Sequence, residues 1–360
     1  MRYASIDILR TIAIFLMVIV HFMENLSGAD WAPAGFGAPL FTFLVGASYR
    51  LWLNAQEGKG KSDSEISKVT IRRGLFLFTL GFAFNIFVWL PEDTFNWDVL
   101  TLIGASLLML NVVRNLPLPI LVLIGIVAFM LAPMLRAPTD YPTYWTQGYF
   151  DPDLTLSDVM LGFLAVGYFP VFPWIMFPVA GFVTATLFFT DPPENGPPTA
   201  RTAHFGAVLI VIAMIARLLR PHESDPVTTN VFKGWTMFPA SLEYVTGMLG
   251  LTLLLFALGH RWIDRSPKFA ERKGVLKFVG TFSKYSLSMY LLHHIVHLWP
   301  LWIYGAVMGT EPTQFWRNAI SVWFAIPLSV LCLASCYWLF RWMDRTDRGG
   351  VESWMRSLCD

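Results

Sequence analysis

The fold of this chain is constrained most by a series of apolar runs, each long enough to cross a lipid bilayer. About 20 apolar residues in a helix span the ~30 Å hydrocarbon core, and a helix satisfies its own backbone hydrogen bonds there. Hydrophobic residues make up 55% of the chain and charged residues 14%. The sequence therefore predicts an all-α polytopic membrane protein, a single domain over 1–360. Its roughly ten transmembrane helices fall at about 7–24, 36–54, 72–90, 98–113, 118–135, 158–189, 203–220, 235–259, 277–299 and 316–342.

The run over 158–189 is expected to be broken or re-entrant. It contains the segment VGYFPVFPWIMFP, with prolines at positions 170, 173 and 178, and proline interrupts helical hydrogen bonding. Irregular backbone at membrane depth is tolerated only where protein or a water-filled cavity covers it. We therefore predict a cavity beside this segment. Trp174 is a candidate for its lining, although a structural role is the simpler interpretation.

The distribution of Lys and Arg predicts the orientation of the chain, because short cytoplasmic loops carry an excess of positive charge. The loops around Lys61 and Arg272 are rich in these residues, and so are the two ends. Both termini are therefore predicted to be cytoplasmic, whereas Trp31, Trp145 and Glu223 lie on the opposite side. We expect a multi-pass protein of the bacterial inner (plasma) membrane, surrounded by membrane lipid.

The loops on the opposite side combine acidic, amide and aromatic residues, for example in RAPTDYPTYWTQGYFDPDLTLSD. Such a combination binds sugars, because it offers hydrogen bonds to hydroxyls and flat faces to the sugar ring. The alternative is the ordinary polar rim and aromatic belt of a membrane protein. The two interpretations are equally consistent with the sequence.

The first apolar run carries two residues that are costly in lipid, Arg10 and His21. A charged residue inside a membrane span is a functional hypothesis by default. Their positions differ by eleven residues, about three helical turns, so both side chains lie on one face, about 16.5 Å apart along the helix. The cation then lies in the cytoplasmic leaflet and the imidazole near the opposite surface. This arrangement suits an elongated ligand lying along the helix.

A second polar stripe lies in the segment SKYSLSMYLLHHIVHLW. Tyr290, His293 and His297 are spaced i, i+3 and i+7 and share one face of a helix, whereas His294 points about 100° away. A metal site from His21, His293 and His297 is conceivable, but no carboxylate stands at a familiar ligand spacing. We therefore expect no metal site.

Charge and cysteine content exclude two further classes of protein. The net charge of +1 lacks the basic field that a nucleic-acid partner requires. The cysteines are Cys332, Cys336 and Cys359, and their spacing suggests neither a disulfide framework nor a zinc motif. The sequence does not indicate the oligomeric state.

Four segments resemble, in chain order, the heparan-alpha-glucosaminide N-acetyltransferase family of membrane acyltransferases: IDILRTIAIFLMVIVHF, APLFTFLVGASYRLWL, YFPVFPWIMFPVAGF and FSKYSLSMYLLHHIV. The Arg–ten residues–His spacing and SLSMYLLH also resemble the wider acyltransferase-3 superfamily. The resemblance covers segments from residue 5 to about 298. It implies an enzyme that takes an acyl group, usually acetyl, from cytoplasmic acyl-CoA. The acceptor would be an amine or hydroxyl of an extracytoplasmic carbohydrate, most specifically a glucosamine-type amino sugar or a polysaccharide.

The resemblance also implies roles for individual residues. His21 matches the catalytic histidine, which acts as a base or carries the acyl group; the alternative is a histidine that anchors the helix at the interface. Arg10 matches a basic residue that binds a CoA phosphate, and a pair with Asp7 on the same helix is compatible with that role. His293 matches the histidine of the YLLH position.

Three further residues complete the predicted site. Glu24 orients His21 or binds acceptor hydroxyls, unless it is a solvated loop acid. Arg50 and Lys284 lie toward the cytoplasmic ends of their helices and are candidates for binding CoA, and snorkelling to the membrane surface is the alternative for each. The predicted catalytic residues are thus His21, Glu24 and His293. The predicted residues for the donor, acetyl-CoA, are Arg10, Arg50 and Lys284.

A second class of function stays open, a proton-coupled transporter of a small molecule. Arg10, His21 and the proline-broken span would then form the substrate path. Transporters of this kind often show repeated halves with matching broken helices, and the sequence contains one evident broken segment. A non-catalytic membrane scaffold is a third alternative, but it does not explain a cation and an imidazole on one helix face.

Overall fold

The computed structural model describes residues 2–89, 94–136, 155–190, 196–218, 235–311 and 313–360. These residues form helices joined by turns, and they contain no β-strand. The helices are α1 (Ala4–Ser27), α2 (Gly37–Glu57), α3 (Asp63–Val88), α4 (Val99–Val113), α5 (Leu118–Arg136), α6 (Leu156–Leu161), α7 (Val171–Trp174), α8 (Met176–Phe189), α9 (Thr199–Leu218), α10 (Leu242–Gly259), α11 (Pro267–Ala270), α12 (Lys273–Lys284), α13 (Ser286–Met308), α14 (Val322–Arg345) and α15 (Val351–Cys359). The predicted all-α fold is confirmed.

The helices have the dimensions of membrane spans. Eight segments within the described ranges are long and apolar enough to cross a bilayer. A further helix, α4, is apolar but has only 15 residues, and α2, with 21 residues, falls on the predicted run 36–54. Each predicted run therefore coincides, wholly or in part, with a helix, and the chain is a polytopic membrane protein. Trp145 and Glu223, which the sequence assigned to loops, lie outside the described residues, and the cytoplasmic location of both termini stays a prediction.

The predicted break in the run 158–189 is confirmed. After α6, the residues Gly162–Val166 form a wider π-helical turn, and the chain then leaves the helix. Pro170 has extended backbone angles, φ −69° and ψ 157°, immediately before α7. Trp174 at the end of α7 is fully buried, so it packs in the protein interior. The cavity expected beside this segment stays a prediction.

Two compact units form within the chain. The first unit comprises residues 42–261, and the second unit comprises 2–41 together with 262–358. In the first unit, α2 and α8 approach each other so closely that a Cβ atom on Gly46 would overlap the carbonyl oxygen of Pro178. Glycine at position 46 therefore permits this close backbone approach. The prediction of a single domain over 1–360 stays a prediction.

The second unit surrounds α1 with α12, α13 and α14. Its core includes Ile14, Val18 and Phe22 of α1, packed with Phe282 and Met289. This core covers one face of α1 with apolar side chains along most of its length. The helix that carries Arg10 and His21 is therefore fixed in position by its neighbours.

Specific contacts fix the C-terminal end of α1 and the N-terminal end of α13. Gly28 ends α1 in the left-handed conformation, with φ 67°, and a Cβ atom there would lie 2.8 Å from the carbonyl oxygen of Arg317. At the start of α13, the Ser288 backbone N–H donates to the carboxylate of Glu352 on α15 over 2.8 Å. The Ser288 hydroxyl donates to the same carboxylate over 2.6 Å. These contacts fix the ends of the two helices that carry the histidines.

Candidate active site

Helix α13 presents three buried imidazoles whose hydrogen bonds fix their tautomers. The side chains of His293, His294 and His297 are 0%, 1% and 3% exposed. Each Nδ1 lies 2.6–3.0 Å from the carbonyl oxygen four residues earlier, those of Met289, Tyr290 and His293 in turn. A carbonyl oxygen only accepts, so each Nδ1 carries the hydrogen. Because a neutral imidazole has one ring hydrogen, Nε2 of each ring is an acceptor.

His21 on α1 completes the arrangement. Its Nδ1 lies 3.0 Å from Nε2 of His293, and since that Nε2 is an acceptor, His21 Nδ1 is the donor. Nε2 of His21 therefore bears the lone pair, which is the form that a general base or a nucleophile requires. The half-buried ring of His21 is thus held at one nitrogen, and the other nitrogen bears the lone pair.

One turn further along α1, a second pair repeats this contact. Asn25 Nδ2 donates to Nε2 of His297 over 2.9 Å. The sequence reasoning missed Asn25, although its i+4 position relative to His21 places it on the same helix face. The pair fixes the rotation of α1 against α13, so it supports the contact between His21 and His293.

His294 also lies against His21, with ring centroids 4.5 Å apart. His21, His293 and His294 each offer a ring nitrogen, and these nitrogens all lie within 4.8 Å of one another. The three rings could hold a metal ion, which differs from the expectation drawn from the sequence. That expectation rested on the lack of a carboxylate at a familiar spacing, whereas three imidazoles alone make a known zinc ligand set.

At the cytoplasmic end predicted for α1, Arg10 is joined to α12. Its Nη1 donates to the hydroxyl of Ser283 over 2.7 Å. Asp7, one turn before it, accepts from Nε of Arg2 over 2.6 Å. Because α1 is an uninterrupted helix, Arg10 and His21 keep their separation of about 16.5 Å along its axis. The structure therefore places a guanidinium and an imidazole on one continuous helix.

Lys284, the second predicted donor-binding residue of this unit, is engaged in an ion pair. Its Nζ lies 2.6 Å from Oδ1 of Asp344, and the hydroxyl of Tyr285 donates to the same oxygen over 2.9 Å. The side chain of Lys284 is 43% exposed, so the ammonium group is accessible. A role for Lys284 in binding CoA stays a prediction, and a phosphate would have to share the ammonium with Asp344.

Glu24 lies half-buried on α1, one turn beyond His21. Its carboxylate is close enough to Arg317 for an electrostatic interaction. Glu24 lies near the C-terminal end of α1, and its backbone carbonyl accepts from the N–H of Gly28 over 2.9 Å. The role predicted for Glu24 in orienting His21 stays a prediction.

Arg50 belongs to the first unit. Its Nε donates to the hydroxyl of Thr190 over 3.0 Å, and Nη2 lies 3.3 Å from the carboxylate of Glu57. Asn54 also donates to the Thr190 hydroxyl, over 2.8 Å. Arg50 thus links α2 to the end of α8, and its predicted role in binding CoA stays a prediction.

One known protein family matches more than half of the 360 residues of the chain. Residues 2–219 match the family described as heparan-alpha-glucosaminide N-acetyltransferase, catalytic. No curated protein sequence matches the chain. The matched stretch contains α1 with Arg10 and His21, whereas α13 follows it in the chain. A functional role for His293 therefore rests on its contact with His21 and not on the family match.

Proposed function

The chain belongs to the heparan-alpha-glucosaminide N-acetyltransferase family, and we propose that it transfers an acetyl group from cytoplasmic acetyl-CoA to an extracytoplasmic glucosamine-type sugar. The acceptor atom is the amine nitrogen of that sugar. Transfer to a hydroxyl of a cell-surface polysaccharide is the nearest alternative. The proposed location is the bacterial inner membrane. The observation that carries the proposal is the hydrogen bond from His21 to His293, because it leaves His21 Nε2 as an acceptor.

The proposed chemistry uses that nitrogen as a general base. The neutral amine of the sugar attacks the thioester carbonyl carbon, and His21 Nε2 takes the proton that the amine loses. The carbon–sulfur bond then breaks, and the departing CoA sulfur takes the proton back from the imidazolium. Proton transfer by a positioned side chain contributes typically 10²–10⁴-fold to the rate.

His293 acts through His21, and we assign it as a positioning residue. Its Nε2 accepts from His21 Nδ1 while its own Nδ1 donates to the Met289 carbonyl. When His21 gains a proton, the donor in this contact becomes charged, and charge-assisted hydrogen bonds are roughly twice as strong as neutral ones. The contact therefore selects the reactive tautomer before the reaction and stabilises the imidazolium during it.

The same lone pair also permits a covalent route. His21 Nε2 would attack the thioester carbonyl carbon, and CoA would leave as a thiolate. The sugar amine would then attack the acetyl-imidazolium, the bond from the acetyl carbon to His21 Nε2 would break, and the proton lost by the amine would pass to the CoA sulfur. Both routes need the same tautomer of His21, so the hydrogen bond to His293 supports both equally. Labelled acetyl groups retained on the protein without an acceptor would select the covalent route.

The donor is proposed to lie along α1. Its phosphates would contact Arg10 at the cytoplasmic end, since the planar guanidinium matches phosphate oxygens, and share it with Ser283. The distance from Arg10 to His21 along the helix, about 16.5 Å, is of the order of the length of an extended pantetheine arm. The thioester would then reach the imidazole from the cytoplasmic side, and the sugar would arrive from the opposite surface.

The test is transfer of labelled acetyl from acetyl-CoA to a panel of sugars by the purified protein. Glucosamine-type sugars should become acetylated on nitrogen, and matched sugars that carry a hydroxyl in place of the amine should react much less. Acetylation of hydroxyls alone would select the polysaccharide alternative. Uptake of an unmodified sugar into proteoliposomes, with no acetyl transfer, would favour the transporter and overturn the proposal.

A further inference from the structure

We propose that His21, His293 and His294 form a binding site for a divalent transition metal of the zinc type, and that the metal inhibits the enzyme. One ring nitrogen of each residue lies within 4.8 Å of the other two. The ring centroids of His293 and His294 are 4.0 Å apart. Binding of the metal is independent of the proposed acetyl transfer, whereas inhibition rests on it.

The hydrogen bonds of α13 prepare the ligands. Histidines that bind metals almost always donate their other ring N–H to a carbonyl or a carboxylate. His293 and His294 donate from Nδ1 to the carbonyls of Met289 and Tyr290, so the unprotonated nitrogen of each ring is Nε2. Two of the three ligands are thus already in the tautomer that a metal requires.

The geometry fits a four-coordinate ion after a small movement. Zinc binds imidazole nitrogens at 2.0–2.1 Å, and tetrahedral sites with three histidines keep a water in the fourth position. Ligand nitrogens are then about 3.3 Å apart, so the widest pair would approach by about 1.5 Å at most. Three nitrogens suit zinc, copper or nickel and not Mg²⁺ or Ca²⁺, which prefer oxygen. His21 is half-buried, which leaves it within reach of an ion.

Metal binding would change the tautomer of His21. The nitrogen that faces His293 is Nδ1, and to bind a metal it must give up its hydrogen. A neutral ring then carries that hydrogen on Nε2, so no proton is lost overall. Nε2 no longer has a lone pair and cannot act as a base or a nucleophile. The metal therefore inhibits by replacing the hydrogen bond that keeps His21 reactive.

His294 separates the two roles, because it is a metal ligand and takes no part in the contact between His21 and His293. Asparagine can retain the donor to the Tyr290 carbonyl, since its amide nitrogen occupies the place of Nδ1. His294→Asn therefore removes one ligand and preserves the local hydrogen bond. A second variant, His294→Gln, shows whether an effect is specific to asparagine. Thermal unfolding identifies either variant that fails to fold. His204 is exposed on α9, so His204→Ala is the matched control.

The experiment measures binding of Zn²⁺ by titration calorimetry to chelator-treated full-length protein, together with its effect on acetyl transfer. We expect one Zn²⁺ per chain and loss of activity over the same concentration range, with no effect of Mg²⁺. The His294 variants should bind Zn²⁺ at least 10–100-fold more weakly, in line with the loss from weakening one ligand, and the activity that each variant retains should be correspondingly less sensitive to Zn²⁺. The control His204→Ala should bind as the unmodified chain does.

Three results would overturn the proposal: no Zn²⁺ binding, binding unchanged in both folded His294 variants, or inhibition that persists equally in them. A chain that binds Zn²⁺ through His294 but transfers no acetyl group supports the metal site and refutes the proposed function. The experiment therefore distinguishes failure of the proposed metal site from failure of the proposed acetyl transfer.

Discussion

Nδ1 of His21 lies 3.0 Å from Nε2 of His293, although the two residues are 272 positions apart in the chain. The Met289 carbonyl accepts from the other nitrogen of His293, so the direction of both hydrogen bonds is determined. A backbone carbonyl thus sets the tautomer of an imidazole two hydrogen bonds away. Which nitrogen of His21 bears the lone pair is consequently specified by the fold of α13 as much as by His21 itself.

Replacing His21 should remove acetyl transfer and spare donor binding. His21→Ala eliminates the base, and we expect turnover to fall by about 10²–10⁴-fold, with the affinity for acetyl-CoA retained. Steady-state kinetics and equilibrium binding of acetyl-CoA measure the two effects. His204→Ala, at an exposed histidine of α9, should be neutral, and normal turnover in a folded His21→Ala protein would rule out the mechanism.

Replacing His293 should reveal its positioning role. His293→Ala removes the acceptor for His21 Nδ1, and we expect kcat to fall by up to about 10²-fold, within the range of a base's full contribution, with KM for acetyl-CoA little changed. His293→Gln should recover part of the loss, because its side-chain oxygen can accept from His21. If alanine and glutamine are equally inactive, or KM alone changes, His293 does not act by orienting His21.

Arg10 should contribute to binding of the nucleotide part of the donor. Arg10→Gln removes a charge-assisted phosphate contact, typically worth 1.5–3 kcal/mol or roughly ten- to hundredfold in affinity. A short pantetheine thioester without the nucleotide phosphates should lose much less, and the acceptor's affinity should not change. Binding measurements with both thioesters decide the role, because an equal loss for the two would make Arg10 a structural residue of α1.

The predicted orientation can be tested by labelling from outside intact cells. In a chain whose Cys332, Cys336 and Cys359 are replaced by serine, single cysteines at positions 61 and 145 should behave oppositely. Trp145→Cys should be labelled by an impermeant reagent, and Lys61→Cys should not, because positively charged loops are retained in the cytoplasm. The reverse pattern would invert the topology and place His21 toward the cytoplasm.

Packing at Gly46 gives a prediction on stability. A Cβ atom there would overlap the Pro178 carbonyl, so Gly46→Ala should destabilise the protein by about 1–3 kcal/mol or more, as overpacking does. In contrast, a Cβ atom on Gly274 of α12 meets no atom within 4 Å, and Gly274→Ala should be neutral or slightly stabilising. Thermal unfolding in detergent measures both, and equal effects would show that the tight approach at Gly46 is relieved cheaply.

Features that depend on neighbours along the chain could be predicted from the sequence. The common face of Arg10 and His21 follows from helix periodicity, and the break before α7 follows from the prolines, because both are local properties. Length and composition alone were sufficient for the class of fold.

Contacts between distant segments could not be derived in the same way. Helix periodicity places His294 about 100° from His293 on α13, yet both rings lie against His21, because the rotation of α13 against α1 is set by packing. The ion pair of Lys284 with Asp344 also joins separate helices. Pairings of this kind depend on which helices become neighbours, and no single segment of the sequence contains that information.

The long separation of His21 from His293 has a consequence for the order of events during biosynthesis. Chains are elongated at about 5–20 residues per second, so His21 is synthesised about 14–54 s before His293. Throughout that interval the ribosome-bound chain holds His21 without the acceptor that fixes its tautomer. The nascent protein thus forms the contact between His21 and His293 late, after nearly all of its helices have been made.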